Sequence, residues 1–210
     1  MSDTKQKLLD GTVETLRTKG IAGTSARAIA TAAGVNQALV FYHFGSVDQL
    51  IDAACRDGAG SRVDEYHERF SKVASLRELL ELGRALHTEE SARGNVAVMA
   101  QVLAGAQQDE ALAPAGRHAL SLWITEIETV LARLLVRSPV AEAIDVPGLA
   151  RAVSAAFVGL ELYDGVDDRG ADQAFAALEQ FAVLIEVAED LGPVARRALR
   201  SRLRKARSKP

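Results

Sequence analysis

Apolar positions recur at helical spacing along almost the whole chain. Between Thr4 and Lys19, Leu8, Leu9, Thr12, Val13 and Leu16 lie on one face of a first helix. Lys19-Gly20 gives that helix a cationic last turn and a capping glycine. Thr24 or Ser25 can cap a second helix that runs through Ile29 to Ala33 and stops at Gly34, a residue suited to a left-handed turn. Asn36 caps a third short helix, Gln37 to Phe44; Val35, Leu39 or Val40, and Phe44 are its inward candidates. Gly45 breaks it, and Ser46 caps a long helix over about 47–70 with Leu50, Tyr66 and Phe70 on its apolar side.

The body repeats the pattern. Helices are expected over 75–91 with Ser75 as cap, over 96–106, over 110–136, over 148–165 and over 171–191, with a loop at 137–147 between Pro139 and Pro147. The last two carry Leu149, Val153, Phe157 and Leu160, then Phe175, Leu178, Phe181, Leu184, Ile185 and Val187. Alternating strand-like runs are scarce, so the expected fold class is all-α.

Two short helices joined by a glycine turn, followed by a longer helix, form the grammar of a helix-turn-helix DNA reader. The first turn of its second helix must meet base edges, which places Asn36, Gln37 and Ala38 there, with Leu39 nearby. Gln37 can pair with adenine N6/N7, and Ala38 or Leu39 can lie against a thymine methyl. Donors at the rim suit phosphates: Ser25, Arg27, Tyr42, His43 and Ser46, while Phe41 can pack on sugar or a methyl.

Ser25, Arg27, Ile29, Ala30, Ala33, Gly34, Val35, Val40, Phe41, Tyr42, His43, Phe44, Ser46 and Leu50 follow the N-terminal pattern of the tetracycline-repressor (TetR) family of bacterial regulators, which this stretch resembles. Three positions depart from that pattern. Val47 replaces a usual lysine, Ala28 a common acid, and Phe41 a frequent tyrosine. The resemblance implies a three-helix DNA-binding domain over 1–46, a larger helical ligand-binding and dimerisation domain over 47–192, and a basic tail over 193–210. It also implies a homodimer paired through 148–165 and 171–191, reading a palindromic operator and released by a small molecule. Leu86, Met99, Leu103, Trp123, Ile127 and Phe157 are the ligand candidates on the apolar body helices, with Gln101, His87 or Tyr163 able to orient the ligand. Few charges fall on those faces, so an apolar or aromatic effector is expected.

Charge sharpens the picture. The net charge of −3 hides a basic end: residues 193–210 hold eight Lys/Arg and no acid. Residues 1–50 hold five basic and four acidic residues, leaving an acidic middle that DNA would repel. The tail admits three readings: a frayed basic helix, a partner of DNA or of the acidic body, or a solvated end. No apolar run reaches the roughly 18 residues of a membrane span, and the single cysteine, Cys55, agrees with a reducing compartment; a cytoplasmic protein is expected. Glu89-Glu90 and Asp167-Asp168 read as solvated surface pairs, and Cys55 as an inert small residue. No nucleophile elbow, phosphate loop or metal-ligand spacing is present, so no enzyme, metal or cofactor is expected. The alternatives are a weak DNA binder acting through a protein partner and a non-catalytic small-molecule carrier.

Overall fold

The computed structural model describes residues 3–136, 138, 140–163, 166, 167 and 169–207. Among the described residues ten α-helices follow one another: α1 (Asp3–Lys19), α2 (Ala26–Ala33), α3 (Ala38–Phe44), α4 (Val47–Lys72), α5 (Leu76–Arg93), α6 (Asn95–Gly105), α7 (Ala113–Leu135), α8 (Val146–Tyr163), α9 (Gly170–Glu189) and α10 (Pro193–Arg207). Short 3-10 turns precede α2, α7 and α8. No strand occurs among the described residues. Pro139, Gly165 and Asp168, which the sequence placed in loops and turns, lie outside them.

The chain forms two compact units: residues up to Glu65 with Glu89–Trp123, and Tyr66–Thr88 with residues from Ile124 onward. In the first unit, Leu8, Leu9, Ala26, Ile29, Ala30, Val40, Leu50 and Ala54 make one buried cluster. Leu16, Ile51, Val98, Val102, Leu112 and Ala115 make another. Val13 and Val47 pack against both. The crossing of α1 and α2 is close because Gly11 is buried against Ala33. The hydroxyls of Thr12 and Thr15, also buried on α1, donate to the carbonyls of Leu8 and Gly11 at 2.7 and 2.6 Å, so neither leaves an unmet polar group.

The Glu89-Glu90 reading needs correction. Glu90 is buried, not solvated. Its carboxylate accepts from Asn95 Nδ2 at 2.8 Å and Arg93 Nη1 at 3.0 Å, and Arg93 also reaches Glu65 at 2.9 Å. The break at Gly94 (φ 73°) brings Asn95 back over the end of α5. Paired in this way, a buried carboxylate is tolerable.

In the second unit α8 packs on α9. Arg133 of α7 donates to the carbonyls of Phe70 and Ser71 in the last turn of α4 at 2.9 and 2.7 Å, and the Phe70 carbonyl also accepts from the Val73 amide at 3.3 Å. Arg77 and Arg84 of α5 pair with Glu186 and Glu179 of α9 at 2.9 and 3.1 Å. The apolar residues of α9 divide between two faces: Ala171, Phe175 and Ala182 are buried, while Phe181, Leu184 and Val187 are exposed. The basic tail is helical, as one of its readings had it: Pro193–Arg207 form a 15-residue helix, α10.

Candidate nucleic-acid interface

Local capping builds the reader. Ser25 Oγ accepts from the Ala28 amide at 3.2 Å and starts α2. Gly34 ends it in the left-handed region (φ 65°, ψ 33°), and the Val35 amide donates back to the Ala30 carbonyl at 3.0 Å. This doubled-back end turns the chain sharply into α3. There Asn36 Oδ1 accepts from the Ala38 amide at 2.8 Å. The assigned α3 therefore begins at Ala38, one residue later than expected, with Asn36 still capping it. Gly45 (φ 79°) closes α3, and Ser46 Oγ accepts from the Gln49 amide at 3.1 Å to open α4.

One residue pins α3: Val40 is fully buried. Leu39 and Phe44 are partly buried and packed beside it. Asn36, Gln37, Ala38 and Phe41 are exposed, and Tyr42 is 80% exposed. An inward ring at position 42 is thus excluded, leaving its hydroxyl to solvent or to a ligand. The Tyr42 ring stands edge-on to His43 with centroids 4.8 Å apart. His43 and Ser46 are half-buried, and Ser25 and Arg27 are exposed on α2. The ten residues singled out for DNA thus belong to one continuous segment, and all are solvent-accessible.

The electrostatics of this unit are thin. Lys7 is engaged by Asp3 at 2.5 Å and Arg17 by Glu14 at 2.5 Å. Val47, in place of a lysine, spends its side chain on the two apolar clusters. A lysine there would give up that packing.

The ligand candidates fall in both units. Met99, Leu103 and Trp123 belong to the first and are half-buried. Leu86, Ile127 and Phe157 belong to the second; Leu86 and Ile127 are buried. His87 is buried in the second unit, its ring 6.1 Å from Phe157 and 5.8 Å from Phe175. Gln101 does different work from the ligand contact suggested by its place on α6. Its Oε1 accepts from the Ile21 amide at 2.8 Å, tying α6 to the turn after α1. Nothing in the sequence marks that pairing, which spans 80 residues. Tyr163, the third orienting candidate, is 57% exposed. Among the described residues no cluster of His, Cys, Asp or Glu is placed to hold a metal, and no helix is long and apolar enough to cross a membrane.

Cys55 is half-buried on α4. Burial first, and the Asp52 carboxylate second, push its thiol up to about 12. The thiolate is the reactive form. Relative to an ordinary thiol of about 9.0, its population at pH 8 therefore falls on the order of 1,000-fold. A water-soluble aromatic disulfide at pH 8 is expected to label Cys55 quickly in denaturant and very slowly in the folded protein; equal rates would contradict this environment. The linked stability is fully present below pH 9, where both states are protonated. It is lost as pH rises toward 12, because the unfolded thiol ionises first.

Residues 8–54 match the family model described as bacterial regulatory proteins, tetR family. No curated protein sequence matches the chain. A Rhodococcus sp. structure assigned to the TetR family of transcriptional regulators superposes with a TM-score of 0.70 at 22% identity, covering 90% of this chain and 100% of that one. The multidrug binding protein EbrR, complexed with proflavin, gives 0.60 at 26% identity, covering 87% and 99%. FadR from Bacillus subtilis, in complex with stearoyl-CoA, gives 0.68 at 14% identity, covering 88% and 97%. The matched segment, residues 8–54, holds the capped helix-turn-helix and is the N-terminal domain of the tetR family of bacterial regulatory proteins, and the likeness of fold to solved regulators extends through the helical body.

Proposed function

We propose that the chain is a cytoplasmic, homodimeric, ligand-responsive repressor that occupies a palindromic operator and leaves it when a small apolar or aromatic effector binds. The observation that carries the DNA half is the division of α3. Val40 anchors it, and Asn36, Gln37, Phe41 and Tyr42 are left exposed on a helix short enough for the major groove. Residues 1–46 are the reader, 47–192 the effector and dimer region, and 193–210 a separate basic element. Gln37, with Asn36, Ala38 and Leu39, meets bases; Ser25, Arg27, Tyr42, His43 and Ser46 meet phosphates, and Phe41 a sugar or methyl.

Two α3 helices must be held at a fixed separation, and the exposed apolar residues of α8 and α9 suit a two-fold interface for that purpose. On the effector side, Leu86, Ile127 and Phe157 are the proposed contacts in the second unit, beside His87 and Phe175. A flat aromatic compound suits ring edges of this kind, and EbrR was solved in complex with proflavin. Effector binding represses or releases only if the two DNA-reading geometries differ in affinity for it. No turnover is assigned to the protein.

The direct test is selection from a random duplex pool with the full chain. A palindromic consensus is expected to enrich, and Gln37→Ala should cost about 1–3 kcal/mol of discrimination at one symmetric pair of positions. Failure of any sequence to enrich would sink the repressor reading.

A further inference from the structure

The basic end of the chain has no role in operator reading or pairing as described above. Its structure is nonetheless specific. α10 runs Pro193–Arg207, PVARRALRSRLRKAR, with seven cationic residues and no acid. Pro193 starts the helix after Gly192, as a proline at the first helical position should. The helix lies against the 3-10 turn Ala141–Ala143. Leu199 and Leu203, four residues apart, are half-buried, as is Arg196. Arg197, Arg200 and Arg202 are exposed. The leucines therefore dock the helix, and the arginines form an outward stripe.

From this placement we infer that α10 is a second nucleic-acid surface: a sequence-independent grip on the phosphates of duplex DNA, distinct from the reading helix α3. Three observations favour that occupant. Six of the seven cations are arginine, whose planar fork engages phosphate oxygens in pairs. Like charges three and four residues apart, as at Arg197–Arg200 and Arg196–Arg200, oppose helix formation, and a polyanion along the stripe removes that repulsion. The helix's two leucines are turned toward the protein, leaving Val194 as its exposed large apolar side chain. A lipid surface would need more than that to insert. Thin charge on the reader gives such a grip a use: it raises the local concentration of DNA without choosing a sequence.

The experiment separates this surface from the reader. Full-length protein carrying Arg27→Ala, Gln37→Ala and Tyr42→Ala is titrated onto a non-operator duplex from 50 to 200 mM salt. Binding should persist and fall steeply with salt. Adding Arg197→Gln, Arg200→Gln and Arg202→Gln should remove three phosphate contacts per protomer. Over that range the wild-type stripe should then lose roughly 40-fold more affinity than the glutamine variant. Lysine at the same three positions should keep the salt slope. The inference is overturned if the reader-disabled protein fails to bind duplex, or if the glutamine variant binds with an unchanged slope. It is also overturned if vesicles containing phosphatidylserine capture the protein at salt concentrations where duplex does not. Because the reader is disabled throughout, failure here leaves the operator reading intact, and the reverse also holds.

Discussion

Gly11→Leu is expected to abolish operator binding and to lower the melting temperature by roughly 5–10 °C, corresponding to about 2–3 kcal/mol. A β-carbon at position 11 would lie 2.8 Å from Ala33 Cβ and 2.9 Å from the Ala33 backbone nitrogen. The nitrogen cannot rotate aside as a side-chain end can, so α1 and α2 must separate. Ala33 immediately precedes Gly34, the residue that turns the chain into α3. The damage therefore reaches the turn that aims Gln37 and Tyr42. Glycine inside a helix ordinarily costs about 0.5–1 kcal/mol relative to alanine, so Gly11→Ala weighs that gain against the clash. Melting curves and operator affinity for both variants give the answer. If Gly11→Ala melts higher than the parent and still binds, the two helices have room to part and the argument from close crossing fails.

The second large effect concerns the apolar face of α8 and α9. Phe181→Glu with Leu184→Glu is expected to give a folded monomer whose operator affinity is at least about 100-fold weaker. Phe181 and Leu184 are each 65% exposed in the protomer, and Val187, Leu162 and Tyr163 are more than half exposed. So many large apolar side chains left exposed on two packed helices are unusual for a surface meant to stay in water. In a two-fold interface each substitution is made twice, so four carboxylates would meet at the seam. Desolvating them without partners would cost several kcal/mol. Because both side chains are already exposed, the folding of one protomer should survive, which far-ultraviolet circular dichroism checks. Sedimentation equilibrium then decides: a variant that remains dimeric at micromolar concentration shows that pairing uses another face.

The reader was legible in the sequence because its determinants are local. Ser25, Gly34, Asn36 and Ser46 each act within a few residues of themselves. Helix spans in the body were legible for the same reason. Pairings across long separations were not. Glu90 looks like surface in a run of acids until Asn95 and Arg93 fold over it. Gln101 looks like a polar group awaiting a ligand until Ile21 meets it. The α9 stripe could not be divided into Phe175, turned inward, and Phe181, left outside, because helical spacing gives a face and not its neighbour. The same limit applies to the effector candidates, which share size and apolarity yet fall in different compact units.

The cluster of Leu16, Ile51, Val98, Val102, Leu112 and Ala115 draws on α1 and α4, on α6 and on the segment that begins α7. Four of those six buried residues, Val98, Val102, Leu112 and Ala115, lie far along the chain. The reader is therefore not portable. A graft that moves it onto a foreign effector region must carry α6 and the start of α7 with it. Otherwise Leu16 and Ile51 stand bare, and the chimera inherits a sticky patch in place of a switch.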